Sequence, residues 1–133
     1  MRSHGINLVA CGLAAVAMYF VGMVIYGFAF SDLWMTLSGY TEAMLAPHMW
    51  KMVLSPVMPV LGAIGIAVAM RWRGAQGVAA GAMTGALVFL FFSFPARLYG
   101  YAYGPEPAGL LALDGAHLAL THMVGGAIIG GMK

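Results

Sequence analysis

The amino-acid sequence predicts an all-α integral membrane protein, a single domain built as a bundle of four spanning helices. Two observations lead to this prediction. First, 62% of the 133 residues are hydrophobic and only 8% are charged, whereas a water-soluble domain needs about 25% charged residues to hydrate its surface. Second, the hydrophobic residues form long continuous runs. Such runs are typical of spanning helices, because the strands of a membrane barrel alternate between apolar and polar residues.

The same composition excludes several functional classes. A net charge of +2 is far too small for a protein that binds the phosphate backbone of nucleic acids. The chain has one cysteine, Cys11, so it cannot form an internal disulfide. The sequence contains no phosphate-binding loop, no serine-hydrolase motif and no zinc-peptidase motif. We therefore expect a protein that is not an enzyme and does not bind nucleic acid.

Four hydrophobic runs are long enough to cross the hydrocarbon core, which takes about 20 residues of helix. These runs cover residues 6–30, 48–70, 76–94 and 110–132. The first run continues past a segment that resembles a signal-peptide cleavage site, so we expect it to be retained as a span. Proline removes a backbone donor and interrupts helices. We therefore expect Pro56 and Pro59 to interrupt the second span and Pro95 to end the third.

The basic residues predict the orientation of the bundle. Four spans put both termini and the middle connector on one side, which carries four basic residues near the helix ends, whereas the other side carries two. The four are Arg2, Arg71, Arg73 and Lys133. Because loops rich in lysine and arginine stay in the cytoplasm, we expect both termini to be cytoplasmic.

Glycines at four-residue spacing mark the last two spans. Small residues at this spacing let two helix backbones approach closely within a membrane. The third span carries Gly77, Gly81 and Gly85, and the fourth carries Gly126 and Gly130. We expect these glycines to form a helix contact surface, either within the bundle or with a partner membrane protein.

Ionisable side chains at membrane depth are candidate functional residues, because burying a charge in lipid is costly. They are Lys51, Arg97, Asp114, His117 and His122. Helical periodicity places Asp114 and His117 on one face of the fourth span, and His122 about 140° from His117. We expect Asp114 to pair with Arg97 and to orient His117. Interfacial charges that reach out to water are the alternative interpretation.

Sulfur and imidazole groups suggest two cofactor alternatives. Copper(I) favours thioether and imidazole ligands, which His48, Met49 and Met52 could supply at the start of the second span. Haem could instead take axial ligands from His48, His117 and His122. Methionine also fills apolar gaps, and twelve methionines are spread along the chain. The preferred expectation is that no cofactor binds.

The connector between the first two spans carries a pattern of five residues. They are Tyr26, Trp34, Met35, Gly39 and Thr41. The pattern resembles the Trp-Met-x-x-x-Gly-x-Thr connector of a domain-of-unknown-function family of small bacterial four-span membrane proteins, although residues 25–28 depart from it. The resemblance implies a four-helix protein of the bacterial inner membrane with a structured outer connector. It implies no activity, cofactor or catalytic residue.

Three functions fit these patterns. The preferred hypothesis is a non-enzymatic accessory or structural subunit in the lipid bilayer, which packs with itself or with a larger membrane complex through its glycines. The second hypothesis is a small dimeric transporter or channel that uses Asp114, His117 and Arg97. The third is a haem- or copper-binding membrane protein.

Overall fold

Helices form almost the whole chain in the computed structural model, which describes residues 2–3 and 5–132 and the side chains of residues 5–132. Ahead of the first helix, strand β1 (Arg2–Ser3) pairs antiparallel with strand β2 (Ile6–Asn7). The all-α prediction is confirmed, and the short hairpin is an addition to it. Lys133 and the side chain of Arg2, on which the predicted orientation partly depends, lie outside the described residues.

The first span is one long helix. Helix α1 (Leu8–Gly22) continues through a π-helical turn (Met23–Ala29), and the two parts together contain 22 residues, within which a stretch of 18 has a mean hydropathy of 2.4. The predicted span of residues 6–30 therefore matches this helix closely.

Two short helices fill the connector after the first span. Helix α2 (Ser31–Ser38) ends at Gly39, whose φ of 70° is a left-handed conformation that glycine adopts without strain. Helix α3 (Glu42–Leu45) follows, and the side chain of Thr41 accepts a hydrogen bond from the amide of Met44 at its N-terminus. Gly39 and Thr41 thus determine where these two helices end and begin.

The second span is bent. A 3₁₀-helical segment (Ala46–Leu54) meets helix α4 (Val57–Trp72) at an angle of 41°. Pro56 lies at the bend, where it cannot donate a backbone hydrogen bond. The hydroxyl of Ser55 donates to the carbonyl of Met52 at 2.6 Å. The interruption predicted at Pro56 is confirmed, whereas the one predicted at Pro59 is wrong, because Pro59 lies in the first turn of α4, where a helix needs no backbone donor.

The third span runs through Pro95 and is longer than predicted. Helix α5 (Val78–Val88), a π-helical turn (Phe89–Ser93) and helix α6 (Phe94–Tyr103) form one helix of 26 residues. The prediction that Pro95 ends this span is wrong. The wide π-helical turn directly before Pro95 makes room for the proline ring and for a carbonyl that lacks its usual donor.

Helix α7 (Ala108–Gly131) is the central element of the bundle. It contacts α1, α4, α5 and α6, and its contact with α5 is the most extensive between helices. Within the described residues, three helices are long and apolar enough to cross a membrane, and the bent second span gives a fourth if its two parts count as one. Length and composition are thus compatible with the predicted four spans.

Glycine backbones meet where α5 packs against α7. A Cβ atom added at Gly81 would overlap the carbonyl oxygen of Gly126, and one added at Gly85 would overlap the backbone of α7. The amide of Gly77 donates to the carbonyl of Gly130 at 3.0 Å. These five glycines therefore lie at a contact inside this chain, and their contact with a partner stays a prediction.

One half of the bundle is closely packed and the other is open. The end where α1 begins, the core end, is filled by buried side chains such as Met18, Ala63, Ile66 and Ile129. At the opposite end, the connector end, lie α2, α3 and the turn between α6 and α7. No residue from 19 to 62 is buried, so space remains between the helices toward the connector end.

Asn7 joins the start of α1 to the end of α7. Its side-chain oxygen accepts hydrogen bonds from the amides of Val9 and Ala10, and its side-chain amide donates to the carbonyl of Met132 at 2.9 Å. We expect Asn7→Ala to lower the free energy of unfolding by about 1–2 kcal/mol, because α1 loses its N-cap and Met132 loses a donor. Asn7→Asp keeps the side-chain acceptor for Val9 and Ala10 but removes the donor to Met132, so it should lower the free energy of unfolding about half as much. Denaturant unfolding in mild detergent measures both, and equal losses would contradict the capping role.

Candidate functional site

A cavity of about 610 Å³ lies in the open half of the bundle, between the first, second and fourth spans. It lies beside the bend of the second span, since residues from both sides of Pro56, Met52 and Met58 among them, line it. Methionine and glycine together supply seven of the sixteen residues that line it. The methionines are Met18, Met23, Met52 and Met58, and the glycines are Gly22, Gly27 and Gly62. Apolar walls of this kind are typical of small-molecule sites.

One wall of the cavity is polar, and α7 provides most of it. His117, Thr121 and His122 line the cavity from this helix. The ring of His122 is fully hydrogen-bonded, since Nδ1 lies 2.7 Å from the carbonyl oxygen of Leu118 and Nε2 lies 2.9 Å from the hydroxyl of Ser93. Because a carbonyl only accepts, Nδ1 carries the hydrogen, and in the neutral ring Nε2 accepts from Ser93. His122 therefore serves to hold α7 to the third span.

The other two polar side chains of this wall have no hydrogen-bond partner among residues 5–132. The Oγ1 atom of Thr121 is buried and unpaired, and the residue is 6% exposed. The ring of His117 makes an edge-to-face contact with the ring of Tyr26, with 4.7 Å between the centroids. Buried polar groups in proteins are nearly always hydrogen-bonded. Thr121 is an exception to this rule, and its hydroxyl oxygen is enclosed by the protein itself.

A charged cluster borders the cavity toward the connector end. The Nε atom of Arg97 donates to Oδ2 of Asp114 at 2.6 Å, and Arg97 also forms an ion pair with Glu106. The hydroxyl of Tyr26 donates to the other carboxylate oxygen of Asp114 at 2.6 Å. The predicted pair of Asp114 and Arg97 is confirmed. The cluster of Arg97, Asp114 and Glu106 carries one positive and two negative charges, so one negative charge is left uncompensated.

The prediction that Asp114 orients His117 is wrong. Arg97 and Tyr26 take both oxygens of Asp114, and no hydrogen bond joins Asp114 to His117 in the described part of the chain. Instead the Tyr26 ring packs against His117 while its hydroxyl reaches Asp114. The sequence gives no signal for this link, because Tyr26 and Asp114 lie 88 positions apart on different helices.

The remaining sequence candidates are not part of this cluster. Lys51, His48 and Met49 are exposed on the 3₁₀-helical segment, whereas Met52 lines the cavity. Of the proposed copper ligands, Met52 therefore lines the cavity, whereas His48 and Met49 do not. Of the proposed haem ligands, His117 and His122 line the cavity and His48 does not. Within residues 5–132, no three His, Cys, Asp or Glu side chains are grouped to hold a metal ion. Both cofactor alternatives stay predictions.

Aromatic rings link the cavity to the connector helix α2. The ring of Tyr26 lies 6.3 Å from the ring of Trp34 in an edge-to-face arrangement, and Trp34 lies 6.0 Å from Tyr40. The carbonyl of Met35 accepts a hydrogen bond from the amide of Gly39 at 3.1 Å. The connector pattern thus holds α2 against the end of the first span, beside the cavity.

The sequence matches a known family over residues 9–130, from the first turn of α1 to the last turn of α7. The family is described as protein of unknown function (DUF1761). The chain belongs to this family. Comparisons with curated proteins and with solved structures find no match. The predicted resemblance to an uncharacterised domain family is confirmed.

The DUF1761 region contains the complete candidate site. The cavity is lined by residues between Met18 and His122, and the charged cluster lies between Tyr26 and Asp114. The site is therefore part of the family domain, and not of a segment that flanks it.

Proposed function

We propose that this protein is a non-enzymatic integral membrane protein of four spans that binds a small lipid-soluble molecule in the cavity between them. The observation that carries the proposal is the cavity itself, which has mainly apolar walls and takes a few polar residues, His117 among them, from α7. Ligand sites commonly have volumes of roughly 300–1,000 Å³, mainly apolar walls and a few polar groups. The exposure of Met52 and Met58, 56% and 68%, supports access from the membrane.

A substitution that fills part of the cavity tests whether a ligand binds there. Gly27 lines the cavity, and a phenylalanine in its place would occupy part of the volume. Gly12 lies on the same span, and a Cβ added there meets nothing within 4 Å. We expect wild type and Gly12→Phe, purified in discs of native lipid, to retain a stoichiometric small molecule in mass spectrometry of the extract. Gly27→Phe should retain less than half as much, and equal retention in all three proteins would contradict the proposal.

We also propose that the protein lies in a bacterial inner membrane with both termini in the cytoplasm. The argument is that Arg71 and Arg73 lie between the second and third spans, at the core end, and that basic connectors stay in the cytoplasm. Reporter enzymes that are active on one side of the membrane, fused to either terminus, test this orientation. Activity of a periplasmic reporter at both termini would contradict it.

The accessory subunit, which is the preferred hypothesis from the sequence, becomes the alternative function, and it would use a different surface from the glycines. Because those glycines face one another inside the chain, a partner would contact exposed apolar side chains such as Trp50 and Val53, which are 67% and 72% exposed. A stoichiometric protein that co-purifies in mild detergent, and is lost when Trp50 and Val53 are replaced, would support this alternative.

A further inference from the structure

The 3₁₀-helical segment Ala46–Leu54 is the least covered part of the second span. Every one of its residues is exposed, and among the described elements its extensive contacts are with α3 alone. Its side chains are nevertheless mostly apolar. Contiguous exposed apolar side chains mark a contact with another protein or with a membrane. The segment therefore has a surface that something outside the described chain covers.

The apolar side chains of this segment are arranged in rows. A 3₁₀ helix has three residues per turn, so side chains three positions apart lie above one another. One row leads to Met52 and Ser55, which line the cavity. A second row contains Trp50 and Val53, which do not line it. The uncovered apolar surface is thus a row separate from the cavity wall.

The third row carries the ionisable side chains of the segment, His48 and Lys51. Both are exposed, and Lys51 forms no ion pair with any side chain of residues 5–132. Lysine at a membrane boundary extends its ammonium group to the head groups while its stem stays in the apolar layer. A cation directly beside an apolar row matches a phospholipid, in which the phosphate lies directly above the acyl chains.

The length of the second span places this segment at the membrane boundary. Helix α4 has 16 residues and a length of about 24 Å, which is less than the hydrocarbon core of about 30 Å. With the 41° bend taken into account, the distance from Trp72 to Trp50 along the axis of α4 is about 33 Å. Tryptophan is enriched at both membrane boundaries. A second span that crosses the core therefore places these two exposed tryptophans at its opposite boundaries.

We propose that Ala46–Leu54 lies in the head-group layer of the membrane and binds an anionic phospholipid, with the phosphate beside Lys51 and an acyl chain against Trp50 and Val53. The inference rests on the proposed membrane location and does not depend on a ligand in the cavity. A lysine near a membrane surface contributes about 1 kcal/mol toward anionic lipids, which corresponds to an enrichment of about fivefold. Because the remaining row lines the cavity, the bound lipid lies against the outside of the cavity wall.

The first experiment measures the depth of Trp50 in the membrane. The variant Trp34→Phe/Trp72→Phe leaves Trp50 as the last of three tryptophans. Its fluorescence is recorded in discs of phosphatidylcholine with bromine atoms either near the head group or near the end of the acyl chain. We expect the shallow bromine atoms to quench Trp50 more strongly than the deep ones, because Trp50 lies at the boundary of the core.

Leu61 provides the matched control for depth. It is 63% exposed on α4 and lies about midway between Trp50 and Trp72. In a chain whose three tryptophans are replaced by phenylalanine, Leu61→Trp places the fluorophore near the middle of the core. The deep bromine atoms should quench this variant more strongly than the shallow ones.

The second experiment measures which lipid lies beside Trp50. Discs contain equal amounts of phosphatidylglycerol and phosphatidylcholine, and only one of the two lipids carries shallow bromine atoms. We expect brominated phosphatidylglycerol to quench Trp50 more strongly than brominated phosphatidylcholine. Lys51→Glu should abolish this preference, because it reverses the charge that attracts the phosphate, whereas Lys51→Arg should retain it.

Different results overturn different parts of the inference. Quenching of Trp50 mainly by deep bromine atoms would place the segment inside the core, and equal quenching by the two lipids would exclude the anionic site. If Trp50 is shielded from bromine atoms and from acrylamide in water, a second copy of the chain covers the segment instead of lipid. If brominated lipids also fail to quench Leu61→Trp, the proposed membrane location is itself wrong.

Discussion

Gly81→Ala is expected to lower the free energy of unfolding by about 3 kcal/mol, which is the upper range for overpacking of a filled core. The added Cβ would overlap the carbonyl oxygen of Gly126 and lie 3.1 Å from the Cα atom of Gly130. Both obstacles are backbone, so no change of side-chain rotamer can relieve them. The two helices would have to separate along the most extensive contact in the bundle.

A second glycine provides the control for this substitution. Gly65 lies within α4, and a Cβ added there meets nothing within 4 Å. Gly65→Ala should therefore raise stability slightly, since alanine favours the helix by about 1 kcal/mol over glycine. Unfolding of both variants in detergent, followed by circular dichroism, measures the difference. Equal stabilities would show that α5 and α7 do not approach as closely as described.

Arg97→Leu is expected to lower the free energy of unfolding by about 2–3 kcal/mol, because removal of one partner leaves the other charges of a partly buried cluster without compensation. Arg97 is the cation of this cluster, and its side chain is 16% exposed. Asp114, 18% exposed, would keep only the hydroxyl of Tyr26 as a donor among its described partners. The end of α7 would then separate from α6.

The double variant Arg97→Leu/Asp114→Leu distinguishes pairing from a general intolerance of change at these positions. Replacing both partners by apolar side chains removes the uncompensated charge, so the double variant should be more stable than Arg97→Leu alone. Lys51→Leu is the control for loss of an exposed cation, and it should change stability by about 0.5 kcal/mol or less. A double variant whose loss equals the sum of the single losses would contradict the ion pair.

The sequence predicts the long apolar helices of this protein well, because a long apolar run is a local property. It also predicts the pair of Arg97 and Asp114, since both residues lie near the same end of neighbouring spans. The passage of the third span through Pro95 could not be predicted, because it depends on a π-helical turn formed by residues 89–93. Proline at that position usually ends a helix.

The candidate site is harder to derive from the sequence than the spans. The cavity lies beside the bend of the second span, and the direction of that bend depends on tertiary contacts. The unpaired hydroxyl of Thr121 can be recognised only once every neighbouring donor and acceptor is known. Asp114 and His117 share a helix face as predicted, but Tyr26, which comes from a distant part of the chain, takes the position between them.

Helix α7 is one uninterrupted helix that makes three separate contacts: the ion pair at Asp114, the polar wall of the cavity at Thr121 and the glycine contact at Gly126. Insertion of one residue between Asp114 and Gly126 would rotate one end against the other by about 100°. Such a change would turn either the carboxylate away from Arg97 or the glycine away from α5. The number of residues between these contacts is therefore constrained to single-residue accuracy.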